Sequence, residues 1–381
     1  MTRENLFLMY IAIGLSTIVV AGAGCTSGGG GPGGGNPSPT PLIPAGIYYV
    51  NGGTNPNKVF GLSSAPVAAG GVPSPLPNAP YQATGQNGAS GAPYGIAIAG
   101  GNILYAVNSN AGSVSWFTIN GDNSLTLGSQ VSTNGTTPAG ICVSPNGKFA
   151  AVAETASNEI ETFSIGAGGT LTSVSHTTGN GLNAPIDCAF APDSGAVYVT
   201  NSALGGGISA FAVSGAGLLT PIASYPVNPG ALQGVAVTSS GVLFAATPGG
   251  GGIGEFAVAA GDALLSQGFT ATAAGPYGVA VAPNGQSVYV ATAGANAVDA
   301  YHISGFTLSR LAGAPYQTQV SQSQYVAVSS AGNLLVDLSP ISLGVTLFAI
   351  NGDGTLGYAP LNLYGIPNLP GGSAADGVVV R

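Results

Sequence analysis

One phrase recurs seven times along the chain, and its last copy stops short at the C-terminus. Each copy strings together a four-residue β-type run, a turn of the Pro-Asn-Gly kind, a second run, a third run with a central aromatic, and a Gly-rich hairpin. The first runs begin at Gly95 (GIAI), Gly140 (GICV), Asp187 (DCAF), Gly234 (GVAV), Gly278 (GVAV), Tyr325 (YVAV) and Gly377 (GVVV), in steps of 45, 47, 47, 44, 47 and 52 residues. Four strands repeated at that period predict an all-β, seven-bladed propeller with four-stranded antiparallel blades. Only Val378, Val379, Val380 and Arg381 follow Gly377, enough for one inner strand. The missing strands stand at the other end, in Ile47–Val50 and Val59–Leu62, so the two termini are expected to close one blade jointly. An aromatic falls once in every third run, at Phe60, Phe117, Phe163, Phe211, Phe256, Tyr301 and Phe348. A fixed aromatic position of this kind fills the layer between stacked blades.

The ring is expected to span residues 43–381. Ahead of it, residues 1–24 read as a secretory signal: Arg3, then an apolar stretch from Leu6 to Val20, then small residues up to Cys25. A cysteine at that point resembles the lipidation site of bacterial lipoproteins. Residues 25–42 are Gly- and Pro-rich and read as a tether carrying the Cys25 anchor. The location expected is extracytoplasmic, at the periplasm or cell surface, with the membrane touched only through the lipid; without lipidation the protein is secreted.

Charged residues make up 5% of the chain, where a globular average is roughly a quarter. Beyond the leader the cations are Lys58, Lys148, Arg310 and Arg381, too few for a phosphate-tracking groove, which excludes nucleic acid as a partner. So few ionisable groups also lead to the expectation that stability changes little with pH. Cys142 and Cys188 lie in successive inner strands on opposite strand faces, as facing residues of neighbouring blades must. They are either a disulfide or two buried thiols.

Nucleophile-elbow, zinc-protease and phosphate-loop motifs are absent, and the two histidines, His176 and His302, stand far apart in the sequence. Asn120-Gly-Asp and Asn351-Gly-Asp-Gly fall where hairpins fall and read as turns rather than calcium loops. No metal or cofactor is expected. What remains is a polar ring at one mouth of the channel. Second runs end there in Asn51, Asn108, Glu154, Asn201, Pro248, Thr292 and Ser339, and inner runs begin there with Tyr94, Asp187, Tyr277 and Tyr325 close by. Glu154 and Asp187 are the candidate acid–base pair; Asn51, Asn108, Asn201, Thr292, Ser339, Tyr94, Tyr277 and Tyr325 are candidate ligand contacts.

Tyr198-Val-Thr-Asn201 is the motif of the YVTN β-propeller repeats, and Tyr289-Val-Ala-Thr292 is a close variant. The Ser144-Pro-Asn-Gly-Lys148 and Ala282-Pro-Asn-Gly-Gln286 turns resemble the Ser-Pro-Asp-Gly-Lys turn of the same superfamily. Within it the chain resembles the seven-bladed lactonases of the 6-phosphogluconolactonase type. That resemblance implies metal-free hydrolysis of a lactone by charged residues at the channel mouth, with Glu154 in the place of the acid that follows a second strand. The Arg-His pair that the family sets before an inner strand is missing, which speaks against a phosphorylated substrate. Two readings follow: a monomeric surface module that binds an uncharged sugar or an envelope protein, or a lactonase-like hydrolase of an uncharged lactone with Glu154 as base and Asp187 as its partner.

Overall fold

The computed structural model describes residues 45–51, 57–64, 73–83, 94–227, 231–342, 344–365 and 375–381; the expected signal, tether and Cys25 anchor lie outside them. Seven antiparallel sheets, each built on four successive strands, make a seven-bladed propeller. Blade I joins the two ends of the chain, since Ala375–Val380 is its inner strand and pairs with Gly46–Asn51, its second. Blades II to VII follow in order, with inner strands starting at Ile96, Pro138, Pro185, Val235, Pro276 and Tyr325. The Arg381 amide donates to the Gly46 carbonyl at 3.0 Å, and its guanidinium reaches Asn120 and Asn123 in the blade II hairpin. The joint closure read from the repeat is present.

Seven hydrophobic clusters hold the ring, one at each blade-to-blade interface. The third-strand aromatic supplies one buried ring to each of them, from Phe117 between blades I and II round to Phe60 between blades VII and I. In four blades the pairing of third and outer strands slips by a residue beside this aromatic, and in blade VII it slips by three. A bulge there re-aims the side chain into the seam.

The Tyr of the repeated motif has its own task. Tyr48, Tyr105, Tyr198 and Tyr289 occupy the third position of their second strands and are fully buried. Each donates its hydroxyl to a backbone carbonyl in the third-to-outer hairpin of the next blade: Asn123, Gly169, Asp262 and Gly354, at 2.7 to 3.0 Å. Four of the seven seams are thus tied by a polar contact that the apolar layer alone cannot supply.

The upper mouth of the channel, where inner strands begin and second strands end, is closed in by backbone. A Cβ on Gly234 would lie 2.8 Å from the Tyr277 carbonyl oxygen, and one on Gly278 would lie 2.7 Å from that of Gln324. Gly140 abuts the Ile186 carbonyl in the same way. The start of an inner strand is therefore glycine because neighbouring strands converge too closely for a side chain there. Below this constriction every partly exposed inner-strand residue is apolar, Ile98, Val143, Ala189, Val237, Val281 and Val328 among them.

Candidate functional site: the upper channel mouth

Asp187 and Tyr325 are the described residues that replace glycine at this constriction. Asp187 faces blade V, as Ala189 does on the same strand face. Its Oδ2 accepts the Val235 amide at 2.9 Å and its Oδ1 accepts the Cys188 amide at 2.8 Å. Burial dominates these two bonds and pushes its carboxyl up to about 7.

Tyr94 enters the mouth from blade II. Its ring meets Tyr325 of blade VII edge to face, with centroids 5.6 Å apart. Its hydroxyl is buried and aimed at the Gly234 backbone of blade V, across the channel, without closing a hydrogen bond. Burial raises its pKa well above the ordinary value, and Asp187, Tyr325 and Tyr277 add to the effect. The mouth therefore gathers one near-neutral carboxyl, one unpartnered phenol and two further tyrosines. This set can hold an uncharged ligand that offers a carbonyl or hydroxyl group. No described cation stands on an inner strand except Arg381 at the far end: Lys58 begins a third strand, Lys148 sits in a turn and Arg310 lies on an outer strand.

The structure separates the two acids that the sequence pairs. Both stand at the height of the upper mouth, yet Glu154 shares its strand face with Val152, which packs on blade II, while Asp187 looks toward blade V. Glu154 is wholly buried beside the loop that carries Thr133 and Gly135.

The polar ends of the second strands are committed to hydrogen bonds within the ring, most of them in their own turns. Asn108 donates to Ser113 and Ser115, Asn201 to the Gly207 carbonyl and Ser209, Thr292 to the Ala297 carbonyl, and Ser339 to the Ser321 carbonyl. All four are fully buried, so none is offered to a ligand in this conformation. Asn51 ends its strand, and its side chain lies outside the described residues. In blade V the position belongs to Thr247, which donates to the Gly252 carbonyl, rather than to Pro248, which has no such donor. Tyr94, Tyr277 and Tyr325 do assemble at the mouth. Sequence reasoning missed two features: the reach of Tyr94 across the channel, and the buried Asp337, whose Oδ1 accepts the Ser323 hydroxyl.

Cys142 and Cys188 are joined by a disulfide that links the inner strands of blades III and IV, with Cα atoms 5.7 Å apart. His302 is exposed, and His176 lies on an outer strand 3.7 Å from Glu159. Asp122 and Asp353 fold back on Ser124 and Thr355 as turn residues.

A family model described as "Lactonase, 7-bladed beta-propeller" matches residues 82–185. No curated protein sequence matches the chain significantly. Among solved structures, a putative 6-phosphogluconolactonase from Bacteroides fragilis superposes with a TM-score of 0.71 at 17% identity, covering 91% of this chain and 100% of its own. The periplasmic gluconolactonase of Pseudomonas aeruginosa gives 0.70 at 15% identity, covering 89% and 99%. A protein from Lactobacillus plantarum gives 0.73 at 16%, covering 89% and 100%. The chain is a seven-bladed propeller with the fold of these 6-phosphogluconolactonase-like proteins, and across residues 82–185 it matches the lactonase family in sequence as well.

Proposed function

We propose that the protein hydrolyses an uncharged lactone at its upper mouth, with Asp187 as general base and the Tyr94 hydroxyl as donor to the substrate carbonyl. One observation carries this reading: an unpartnered buried phenol and a buried carboxyl meet at the mouth of a lactonase-type propeller. Fold alone does not assign an activity, so the argument rests on these two groups. As a water oxygen attacks the lactone carbonyl carbon, Asp187 takes the proton of that water. The Tyr94 O–H donates to the oxyanion that forms. When the ring C–O bond breaks, Asp187 returns the proton to the departing alkoxide, and a hydroxy acid leaves. A carboxyl held near neutrality suits both halves of this exchange. With no cation at the mouth to receive a phosphate, a plain lactone is the favoured substrate.

The two backbone amides on Asp187 favour a second reading, a binding module for an uncharged sugar or an envelope protein, because they leave the carboxyl little freedom to move. The Cys142–Cys188 bond supports an oxidising, extracytoplasmic compartment. Lipidation at Cys25 belongs to the same proposal, and intact mass of the membrane-extracted protein tests it. Hydrolysis of glucono-δ-lactone above the spontaneous rate, abolished in Asp187→Asn, supports the enzyme; binding of sugars without turnover supports the module.

A further inference from the structure

The repeat supplies its own control for the seam between blades II and III. In blade II, Asn108 Nδ2 donates to Ser113 Oγ at 3.1 Å and Ser115 Oγ at 2.9 Å, residues five and seven places further on. In blade IV, Asn201 Nδ2 donates to the Gly207 carbonyl at 3.0 Å and Ser209 Oγ at 3.1 Å. Blade III sets Glu154, Glu159 and Glu161 at the blade II spacing. A donor amide facing two hydroxyls has become three carboxyls facing one another.

Two of the three have partners. Glu161 Oε2 accepts the Asn134 amide at 2.8 Å, while its Oε1 accepts the Asn134 side-chain amide and the Ser173 hydroxyl. Glu159 meets His176 Nδ1 at 3.7 Å. Glu154 is wholly buried, and neither of its oxygens has a hydrogen-bond partner. A Cβ on Gly135 would lie 2.6 Å from Glu159 Oε2 and 2.8 Å from Glu154 Cγ, so both acids close on the same loop. The buried Thr133 hydroxyl in that loop is also without a partner. The charged groups around Glu154 are Glu159 and Glu161 from the third strand, with His176 of the outer strand behind Glu159. The blade II residues across the seam, Val107, Val114 and Val131, are apolar. Among the described residues no three His, Cys, Asp or Glu side chains form a metal-ligand set.

We infer that the blade II–III seam is held by a proton: Glu154 is the neutral member of the trio in the closed fold, and its ionisation releases the Thr133–Pro138 loop from blade III. Three carboxylates in one dry seam repel one another, and one retained proton relieves that repulsion. Burial pushes Glu154 up to about 8; the neighbouring Thr133 hydroxyl opposes this, and the Glu161 and Glu159 charges add smaller upward effects. The sign follows from proton binding. The native fold keeps a proton that the unfolded chain has released, so the seam weakens as pH rises from the ordinary carboxylate range to about 8 and levels off beyond it. The seam adjoins the mouth, because Thr155 Oγ1 donates to the Pro185 carbonyl, two residues before Asp187, at 2.7 Å.

Hydrogen exchange of the full chain from about pH 5 to about pH 9, corrected for intrinsic rates, tests this. Protection of the Thr133–Pro138 loop is expected to fall by about tenfold per pH unit between the ordinary carboxylate range and about pH 8, and to level off above it. In Glu154→Gln the loop stays protected throughout. Glu159→Gln, which removes a like charge, lets Glu154 ionise in the closed seam at lower pH, so the fall levels off earlier and the loop stays better protected at about pH 8 than in the native protein. The same loss of protection with rising pH in Glu154→Gln as in the native protein overturns the inference. An unmoved levelling-off in Glu159→Gln overturns it equally, even if the Glu154 variant does not fold.

Discussion

The tyrosine ties between blades make a quantitative prediction. Tyr198→Phe keeps the ring in its seam and removes only the hydroxyl that donates to the Asp262 carbonyl at 3.0 Å. The net value of such a bond is about 1 kcal/mol, and the part-buried Asp262 carbonyl can recruit water once it is freed. Tyr105 and Tyr289 differ in that their bonds to the Gly169 and Gly354 carbonyls are buried at both ends. Their Phe variants leave an acceptor with less access to water, so each should lose about 1.5–2.5 kcal/mol. Blade V shows that the ring itself is tolerated, since Phe244 fills this position fully buried. The four sites sit on separate blades, so the losses should add to within about 0.5 kcal/mol per pair. Urea unfolding of the oxidised full chain, followed by far-ultraviolet circular dichroism, reads each loss as a lower midpoint at constant slope. If Tyr105→Phe and Tyr289→Phe each cost less than Tyr198→Phe, burial of the acceptor is not what sets the value of the tie, and the reasoning fails.

Other consequences are as direct. Gly234→Ala drives a methyl against the Tyr277 carbonyl, 2.8 Å from the new Cβ, and should cost about 1–3 kcal/mol in the same urea assay; a neutral result would mean that the constriction yields. Replacing Cys142 and Cys188 by serine opens a crosslink between residues 46 apart and should lower stability by roughly 3–4 kcal/mol, read as a difference in urea midpoint between the two forms. Asp337 is fully buried, and burial raises its carboxyl to about 7 against the Ser323 hydroxyl bond. Its native proton is one the unfolded chain has lost, so stability falls as pH rises from about 4 to about 7, and Asp337→Asn should flatten that part of a melting-temperature profile. An unchanged profile in the variant would remove Asp337 from the account.

That last point reverses an expectation drawn from composition. Few ionisable groups suggested indifference to pH, but Glu154, Asp187 and Asp337 are buried acids with raised pKa values, and each makes folding depend on a proton. A count of charges carries no information about burial. The fold itself was legible because each blade is local: four strands, a turn and an aromatic within about 46 residues declare themselves by period alone. The aromatic at Phe117 or Phe211 marks its seam without knowledge of any other blade. The candidate site was legible only in part. Glu154 and Asp187 were placed at the right height along their strands, but a shared height does not mean a shared face. Which neighbour each acid meets depends on its strand's pleat and on the packing of the ring. The polar strand ends Asn108, Asn201 and Thr292 drew attention as ligand contacts, yet their spacing to the third strand is that of turn-closing bonds. Tyr94 acts across the channel on blades V and VII, a relation that no local pattern contains. For the cysteines, alternation placed both side chains in one seam, and the structure joins them.

The central claim is that the upper mouth hydrolyses a lactone through Asp187. Steady-state hydrolysis of glucono-δ-lactone by the full chain, followed as acid release in a pH-stat, tests it most directly. The account predicts turnover above the spontaneous rate, loss of that turnover in Asp187→Asn and its retention in Asp337→Asn, whose carboxyl is equally buried but stands on a second strand and accepts the Ser323 hydroxyl. Turnover that survives Asp187→Asn, or none in the native protein on plain lactones, would contradict it.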